Sequence, residues 1–247
     1  MGHVGTSLET TVKESNSSVV TEADYASEKK ILEVLTGGET PCNTISEEAG
    51  RIDQGSDFTW VVDPLDGTSN FAAGLPWFGI IITLFQESSP ILGGMYLPVE
   101  DRLYLAERGK GAWRDDRPIR TSRSADLTRH LVSYSFDHSR EPGKTAREMD
   151  LLGRLSTHVR NIRSTNCLLD FCYVADGRLG AAMNQTTKIW DIAAAALLIP
   201  EAGGVVTDMQ GFPIEFDLSA ESFMHNYTIA AAGKQMHRTI MNIIHPS

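Results

Sequence analysis

The sequence predicts a mixed α/β (α+β) fold, and two observations support that prediction. Residues 58–118 form a run of short apolar strands separated by turn residues, which is typical of one large antiparallel sheet. From residue 131 onward, strands alternate with amphipathic or alanine-rich helices, and no repeat or linker interrupts them. We therefore expect a single domain over residues 1–247, with subdomains at 19–120 and 121–247 that meet near residue 120.

The first half begins with a polar stretch, residues 1–18, that we expect to be irregular. Thr21 has the chemistry of a helix N-cap and predicts a helix that ends at Gly37-Gly38. A short strand at residues 43–46 and a polar loop at 51–57 follow. The central strand, residues 60–62, is expected to stop at Pro64, because proline cannot donate to a sheet ladder. Further strands are expected at 78–86, 91–97 and 102–107, followed by a hairpin over 109–118.

In the second half, predicted strands alternate with predicted helices. Its strands are expected at residues 131–136, 159–163, 178–183, 205–207 and 227–232. Its helices are expected at 145–157, 166–175, 190–202 and 234–244. The third of these helices is closed by Gly203-Gly204, which is typical of a helix C-terminus.

Charge and cysteine content restrict the possible partners and compartment. The net charge of −10 argues against a nucleic acid or an anionic membrane as partner, although a small anionic substrate remains compatible with it. No apolar stretch approaches the ~20 residues of a membrane span, and no secretory signal is visible. The three cysteines, Cys42, Cys167 and Cys172, lack a metal-binding spacing and predict reduced thiols in a cytoplasmic protein.

The stretch from Thr59 to Phe71 concentrates chemically useful groups. Asp63 follows a buried apolar strand, and strand tips are where α/β folds place ligands. Asp66 lies three residues further, beyond a turn fixed by proline. Gly67 and Thr68 then open a helix or turn whose free amide groups suit an anion. The alternative is an ordinary surface turn, since Asp, Pro and Gly are common turn residues.

Other acidic residues could join this turn. Asp191 lies at the start of an alanine-rich helix, Glu47 and Glu48 end a short strand, and Asp24 lies in a first helical turn. Each also has a local explanation as a helix cap or a solvated acid. Adjacent strand residues point apart, so we expect only one of the two glutamates to face the site. Carboxylate oxygens without histidine or cysteine favour Mg²⁺, Mn²⁺ or Ca²⁺.

Two long motifs resemble the signatures of the inositol monophosphatase family. Residues 60–71 (WVVDPLDGTSNF) are similar to the first signature, and residues 190–204 (WDIAAAALLIPEAGG) to the second. Residues 45–48 (ISEE) and 20–24 (VTEAD) are similar to two shorter motifs. The resemblance covers the chain from about residue 19 and implies a layered αβαβα sandwich of the inositol monophosphatase/fructose-1,6-bisphosphatase type, commonly a homodimer.

The resemblance also implies hydrolysis of a small phosphorylated metabolite with two or three Mg²⁺ ions and inhibition by lithium. The first ion would be held by Glu47, Asp63 and the Leu65 carbonyl. The second would be held by Asp63, Asp66 and Asp191. Glu47 would also touch a weaker third ion and is therefore grouped with the catalytic residues.

The catalytic and binding residues implied by the resemblance lie in the same motifs. Thr68, paired with Asp24, would orient the water that attacks phosphorus, and the amides of Gly67 and Thr68 would bind the phosphate. Asp191 would also contact the substrate. Position 184, a glutamate that binds inositol hydroxyls in the animal enzymes, is Asn184 here.

That exchange is one of three departures from the family pattern. An amide binds a diol more weakly than a carboxylate does, so Asn184 argues against specificity for inositol. The helix that usually precedes the first short motif is expected to be shortened or missing. The stretch 164–167 (STNC) is more polar than the usual small residues at a substrate-contacting helix start.

Several alternatives remain open from the sequence. A haloacid-dehalogenase-like enzyme also ends its motif in Asp-Gly-Thr, but the spacing between Asp63 and Asp66 and the intervening proline argue against it. Within the family, fructose-1,6-bisphosphatase, histidinol phosphatase and nucleotide 3′-phosphatase activities are alternatives. From another class, a non-catalytic metal- or phosphate-binding protein would not require the pairing of Thr68 with Asp24.

Overall fold

The computed structural model describes residues 10–12 and 19–246, with side chains from residue 22 onward. The expectations for most of residues 1–18 and for the Thr21 side chain therefore lie outside the described residues. Within the described part, no helix is long and apolar enough to cross a lipid bilayer. Cys42, Cys167 and Cys172 are all free thiols.

A short hairpin and a helix precede the first large sheet. The hairpin consists of β1 (Thr10–Val12) and β2 (Val19–Thr21), and α1 (Glu22–Thr36) begins where the sequence predicts a helix after Thr21. The sheet contains β3 (Asn43–Ser46), β4 (Gly50–Ile52), β5 (Phe58–Asp66), β6 (Gly79–Gln86), β7 (Ser89–Leu97), β8 (Arg102–Glu107), β9 (Gly111–Arg114) and β10 (Arg117–Pro118). A short helix, α2 (Thr68–Ala72), separates β5 from β6.

The strand order of this eight-stranded sheet is β10-β9-β8-β7-β6-β5-β3-β4. Among the described strand pairs of this sheet, only β3–β5 is parallel. The predicted large antiparallel sheet is therefore confirmed, with β4 as an edge strand that the polar sequence of residues 51–57 did not suggest.

The second half forms a five-stranded sheet with the remaining helices. Its elements are β11 (Leu131–Ser135), α3 (Lys144–Ser156), β12 (Asn161–Arg163), α4 (Leu169–Ala175), β13 (Ala181–Thr187), α5 (Ile189–Glu201), β14 (Gly204–Thr207), β15 (Tyr227–Gly233) and α6 (Lys234–Ile244). The strand order is β12-β11-β13-β15-β14. The pairs that involve β11 are parallel, and those that involve β15 are antiparallel.

The elements stack as the predicted αβαβα layers. One apolar cluster joins the inner faces of both sheets to α4 and α5, so these helices lie between the sheets. A second cluster packs α3 and α6 on the other face of the five-stranded sheet. A small cluster beside α1 and α2 completes the opposite outer layer around Phe71 and Phe78, whose rings meet edge to face at 4.9 Å.

The alanine-rich helix α5 packs closely against the first sheet, as its small side chains predict. A Cβ added at Gly93 on β7 would lie 3.3 Å from the Cα of Ala194. The C-terminal end of α5 is tied to the same sheet, because Glu201 accepts the amides of Gly109 and Gly111 at 2.7 and 2.8 Å. The two glycines are favoured by the backbone of the hairpin itself, where φ is 73° at Gly109 and 110° at Gly111.

Three predicted boundaries are wrong, each for a local reason. The strand β5 does not stop at Pro64 but continues to Asp66, with an irregular register between Asp63 and Asp66 that accommodates the proline. The helix expected from residue 166 begins at Leu169, because Asn166 has a left-handed φ of 52°. The strand expected at 178–183 is β13, at residues 181–187, because a turn that includes Gly177 at φ 81° follows α4.

Candidate active site

The end of β5 and the start of α2 form one side of a cavity of about 410 Å³. Asp63 is 1% exposed, and its Oδ1 accepts the Leu65 amide at 3.0 Å. Gly67 has a φ of 82°, and a Cβ there would lie 2.5 Å from the Trp77 carbonyl oxygen. Only glycine allows this tight turn, which directs Thr68 into the cavity lining.

Two carboxylates of β5 and a third from the remote helix α5 meet at this turn. Asp63, Asp66 and Asp191 each offer an oxygen, and these atoms lie within 4.8 Å of one another. Asp191 is oriented by the backbone N–H of Lys188, which donates to its Oδ2 at 2.6 Å. Asp66 accepts the backbone N–H of Leu168. Each carboxylate is thus fixed by a backbone donor that leaves oxygens free for another ligand.

The electrostatics of this cluster favour a cation. Burial raises the pKa of Asp63 well above its ordinary value, and the charges of Glu47, Asp66 and Asp191 raise it further. Burial is also the main cause that raises the pKa of Asp66, and it raises the pKa of Asp191 to about 6. The charge of Lys188 acts in the other direction and lowers the pKa of Asp191, but neighbouring carboxylates still destabilise one another when no cation is bound. A donor set made only of oxygen fits Mg²⁺, Mn²⁺ or Ca²⁺.

Glu47 lines the same cavity but lies outside the compact group of three carboxylates. Its backbone N–H donates to the Val62 carbonyl at 3.2 Å, so it follows β3 directly beside the end of β5. The Glu48 side chain does not line the cavity. Of the two adjacent glutamates, only Glu47 therefore faces the site.

Thr68 and Asp24 meet although α1 and α2 are far apart in the chain. The Thr68 Oγ1 lies 3.0 Å from Asp24 Oδ1 and 2.9 Å from the Leu65 carbonyl oxygen. Asp24 is 1% exposed. The hydroxyl has one proton and two acceptors within reach, so its direction depends on what else binds the Leu65 carbonyl.

Glu28 is a residue that sequence reasoning missed. It lies one turn after Asp24 on α1 and is buried. Its Oε1 accepts the Ser46 hydroxyl at 2.5 Å and the amides of Glu48 and Ala49 at 3.2 and 2.8 Å. These bonds hold the turn that carries the neighbouring glutamate at position 47. The available signal was the spacing of four residues from Asp24, which places both acids on one helix face.

The rest of the cavity wall is polar and carries both charged and neutral side chains. Asn184, predicted as a substrate contact, lines the cavity and is 9% exposed. Asp137, Asn166, Asp170 and Lys188 line it as well, and sequence reasoning assigned none of them a role. The only signal for this group was the polar stretch at residues 164–167.

Comparison with known proteins gives a consistent result. The family model described as the inositol monophosphatase family matches residues 1–246. The Nus factor SuhB of Pasteurella multocida is 34% identical over 97% of this chain and 86% of its own length. The fructose-1,6-bisphosphatase/inositol-1-monophosphatase of Aquifex aeolicus is 30% identical over 88% of this chain and 83% of its own. The solved structure of a Thermotoga maritima IMPase superposes with a TM-score of 0.85 at 26% identity, covering 98% of this chain and 89% of that one.

Proposed function

The chain belongs to the inositol monophosphatase family, and we propose that it hydrolyses a small phosphate monoester with the help of Mg²⁺. One observation carries the proposal: three carboxylates from β5 and α5 lie within 4.8 Å of one another, on the wall of a cavity with room for a small phosphorylated metabolite. Such a group of oxygen ligands is what two-ion phosphoryl-transfer sites require.

The residues that would hold Mg²⁺ are those that the family resemblance implies, and the grouping of Asp63, Asp66 and Asp191 supports this assignment. Asp63 would be a ligand of both ions. The other ligands of one ion would be Asp66 and Asp191. The other ligands of the second ion would be Glu47 and the Leu65 carbonyl. A third, weaker ion would lie at Glu47. When bound, Mg²⁺ neutralises charge on the phosphoryl oxygens and lowers the pKa of water.

The pairing of Thr68 with Asp24 would orient the attacking water. A ligand at the Leu65 carbonyl oxygen would compete for the lone pairs that face Thr68, and the Thr68 hydroxyl would then donate to Asp24. Its own lone pair would accept a hydrogen bond from water aligned with phosphorus. The proton of that water would move toward Thr68 Oγ1 and the Asp24 carboxylate.

The attacking water and the leaving group of the substrate would lie on opposite sides of the phosphorus atom. The amides of Gly67 and Thr68 come at the start of α2, where the first N–H groups have no partner within the helix. They would donate hydrogen bonds to the phosphate oxygens, while Asp191 and Asn184 would contact the leaving group. The name of the Aquifex relative pairs two activities, so inositol-1-phosphate, histidinol phosphate and fructose-1,6-bisphosphate are the substrates to test first.

A panel of these esters, assayed with the purified protein and Mg²⁺, tests the proposal. We expect turnover of at least one monoester, inhibition by lithium and little activity with Ca²⁺. Asp66→Asn should abolish turnover, whereas Asp116→Asn, an exposed aspartate at a left-handed backbone position that asparagine tolerates, should not. Normal turnover by Asp66→Asn would refute the proposed site.

A second candidate is a non-catalytic metal- or phosphate-binding protein. It is favoured by the name of a relative, Nus factor SuhB, which describes a factor and not an enzyme. Binding of Mg²⁺ and phosphate without hydrolysis of any ester in the panel would support this candidate.

We also propose that the protein forms a homodimer, as is common in the family. Light scattering coupled to size-exclusion chromatography tests this directly. A mass that stays at 27.1 kDa over a wide concentration range would contradict it.

A further inference from the structure

Asn70 joins the turn at the end of β5 to two other segments of the chain. It lies on α2, is half-buried and lines the cavity. Its Nδ2 donates to the Trp77 carbonyl at 2.9 Å and to the Thr165 carbonyl at 2.8 Å. Trp77 lies just before β6, and Thr165 lies between β12 and α4, 95 residues away along the chain. One amide nitrogen therefore connects three segments that meet beside the cavity.

The two acceptors fix the orientation of the Asn70 side chain. A backbone carbonyl can only accept, so the amide nitrogen and not the amide oxygen must face both of them. That nitrogen carries two hydrogens, and each contact takes one. Asn70 thus has no N–H left for a phosphate oxygen, and its own oxygen is an acceptor that a phosphate anion does not bind. Its role at the cavity is therefore to position other groups.

The turn that carries Gly67 and Thr68 packs against the two segments that Asn70 contacts. A Cβ added at Gly67 would lie 2.5 Å from the Trp77 carbonyl oxygen and 3.1 Å from the Cβ of Cys167. The carbonyl that accepts from Asn70 is therefore the one that closes over this glycine. Because the fit leaves no room for even one extra carbon atom, a small shift of either segment moves the turn.

Both ends of the turn are tied to the segment before α4. At the first end, Asp66 accepts the Leu168 N–H. At the second end, Asn70 donates to the Thr165 carbonyl. A bond at one end alone would leave the other end able to move away, since the middle of the turn contains glycine, the most flexible residue type. Asn70 therefore determines how much of the time the turn occupies this position.

We infer that Asn70 is a positioning residue for phosphate binding, which keeps the turn with Gly67 and Thr68 in the arrangement that fits a phosphate group. The inference rests on the proposed function, in which the amides of this turn bind the phosphate. Two hydrogen bonds of ordinary strength together favour such an arrangement by a factor of about ten. Where only a fraction of the molecules has the competent arrangement, the apparent affinity falls by that fraction. Saturating substrate draws every molecule into it, so the maximal rate is preserved.

Asn70→Leu tests this role with a side chain of similar size that has no donor. We expect KM for the ester that turns over fastest and the inhibition constant of inorganic phosphate to rise together, each about tenfold, with kcat within about twofold of the wild type. Asn70→Ala, which removes the side chain, should give the same pattern. Asn70→Ser keeps one donor and should raise both constants about threefold. Charged replacements are unsuitable, because a new carboxylate in the cavity would repel phosphate directly.

A merely structural role would leave these constants unchanged. KM and the inhibition constant are measured on the molecules that turn over, so they do not depend on the fraction of the protein that folds. The Mg²⁺ concentration for half-maximal activity should stay the same, because Asp63 and Asp191 keep their own backbone donors. Asn242→Leu makes the same exchange at an exposed position of α6 and should change neither constant.

The possible failures of the inference and of the proposed function are distinct. Unchanged KM and inhibition constants in Asn70→Leu and Asn70→Ala, with normal turnover by the wild type, would overturn the inference alone. A lower kcat with unchanged KM would also overturn it, since phosphate binding would then not depend on Asn70.

Absence of turnover by the wild type across the panel would instead overturn the proposed function. Calorimetric titration with inorganic phosphate in Mg²⁺ would then test the inference without any reaction. An affinity about tenfold lower in Asn70→Leu than in the wild type would support it. Equal affinities, or no binding of phosphate by the wild type, would overturn it.

Discussion

At one end of the cavity, Asp63, Asp66 and Asp191 bring three carboxylates within 4.8 Å of one another, while at the other end Asn166 and Asn184 meet as neutral amides at 3.3 Å. The acidic end is electrostatically unsatisfied, as the raised pKa values of its aspartates indicate. The amide end is satisfied by its own hydrogen bonds.

The two ends of the cavity place different requirements on the residues that line them. The acidic end gains stability only when a cation enters, so its residues are constrained by charge. At the amide end, hydrogen bonds to other protein groups fix both side chains, so their orientation does not depend on a bound cation. We therefore expect substitutions at the acidic end to affect turnover itself, and substitutions at the amide end to affect the choice of substrate.

The largest effect is expected for Asp63→Asn. Loss of a shared ligand should lower kcat by roughly 10³-fold or more, since a catalytic metal supplies several kcal/mol of charge stabilisation. The metal-free variant should melt at a higher temperature than the wild type, because the buried repulsion is relieved. Steady-state kinetics and differential scanning calorimetry measure the two effects. If the metal-free variant melts at a lower temperature than the metal-free wild type, repulsion among the three carboxylates does not destabilise the folded protein.

A smaller loss of activity is expected when the Thr68 hydroxyl is removed. Thr68→Val keeps the shape of the side chain but removes the group that donates to Asp24, and kcat should fall about 10²-fold. Thr68→Ser restores the hydroxyl and should recover most of the activity. Equal activity in the two variants would show that the hydroxyl does not act in the reaction.

Glu28→Gln tests how the acidic end is held in place. The variant weakens the three hydrogen bonds that fix the turn carrying Glu47. The Mg²⁺ concentration for half-maximal activity should rise about tenfold, with kcat recovered at high Mg²⁺, as for other residues that orient metal ligands. The Mg²⁺-dependent rise in melting temperature should require correspondingly more Mg²⁺. Glu22→Gln, on the exposed face of α1, is the matched control.

The smallest expected effect is a change of the melting temperature with pH in the absence of metal ions. Because folding raises the pKa of Asp63, Asp66 and Asp191, the folded protein binds more protons than the unfolded chain between pH 4 and about 6. These groups make their full contribution to the free energy of unfolding at pH values below their pKa in the unfolded chain. That contribution is lost as the pH rises through their pKa in the folded protein.

For a chain of this size, each kcal/mol changes the melting temperature by about 2–4 °C. We expect a decrease of a few degrees over this window that is smaller in Asp63→Asn, where two of the three groups remain, and that disappears with saturating Mg²⁺. Melting curves in metal-free buffers at a series of pH values measure it. If the melting temperatures of the wild type and the variant depend on pH in the same way, the aspartates of the acidic end do not cause the decrease.

Local sequence was sufficient for much of the fold. The strands β3 and β8 and the helix α6 have the predicted bounds, because their apolar periodicity and flanking turn residues lie within the element itself. The wrong boundaries lie where a tertiary contact competes with local preference. The strand β5 extends past Pro64 because it pairs with β6, and α4 starts late because the Asn166 side chain is held by Asp137.

The sequence by itself determined the tight turn at Gly67 and the close packing of α5, because backbone preferences and side-chain size act over a few residues. It also supplied two family signatures, whose assigned roles for these acids remain predictions. Only the tertiary structure decided that Asp191 reaches the turn, that Glu28 supports the segment after β3, and that Asn166 orients Asn184. These contacts join residues that are remote in the chain, and their geometry depends on how whole helices and sheets pack, which no local pattern encodes.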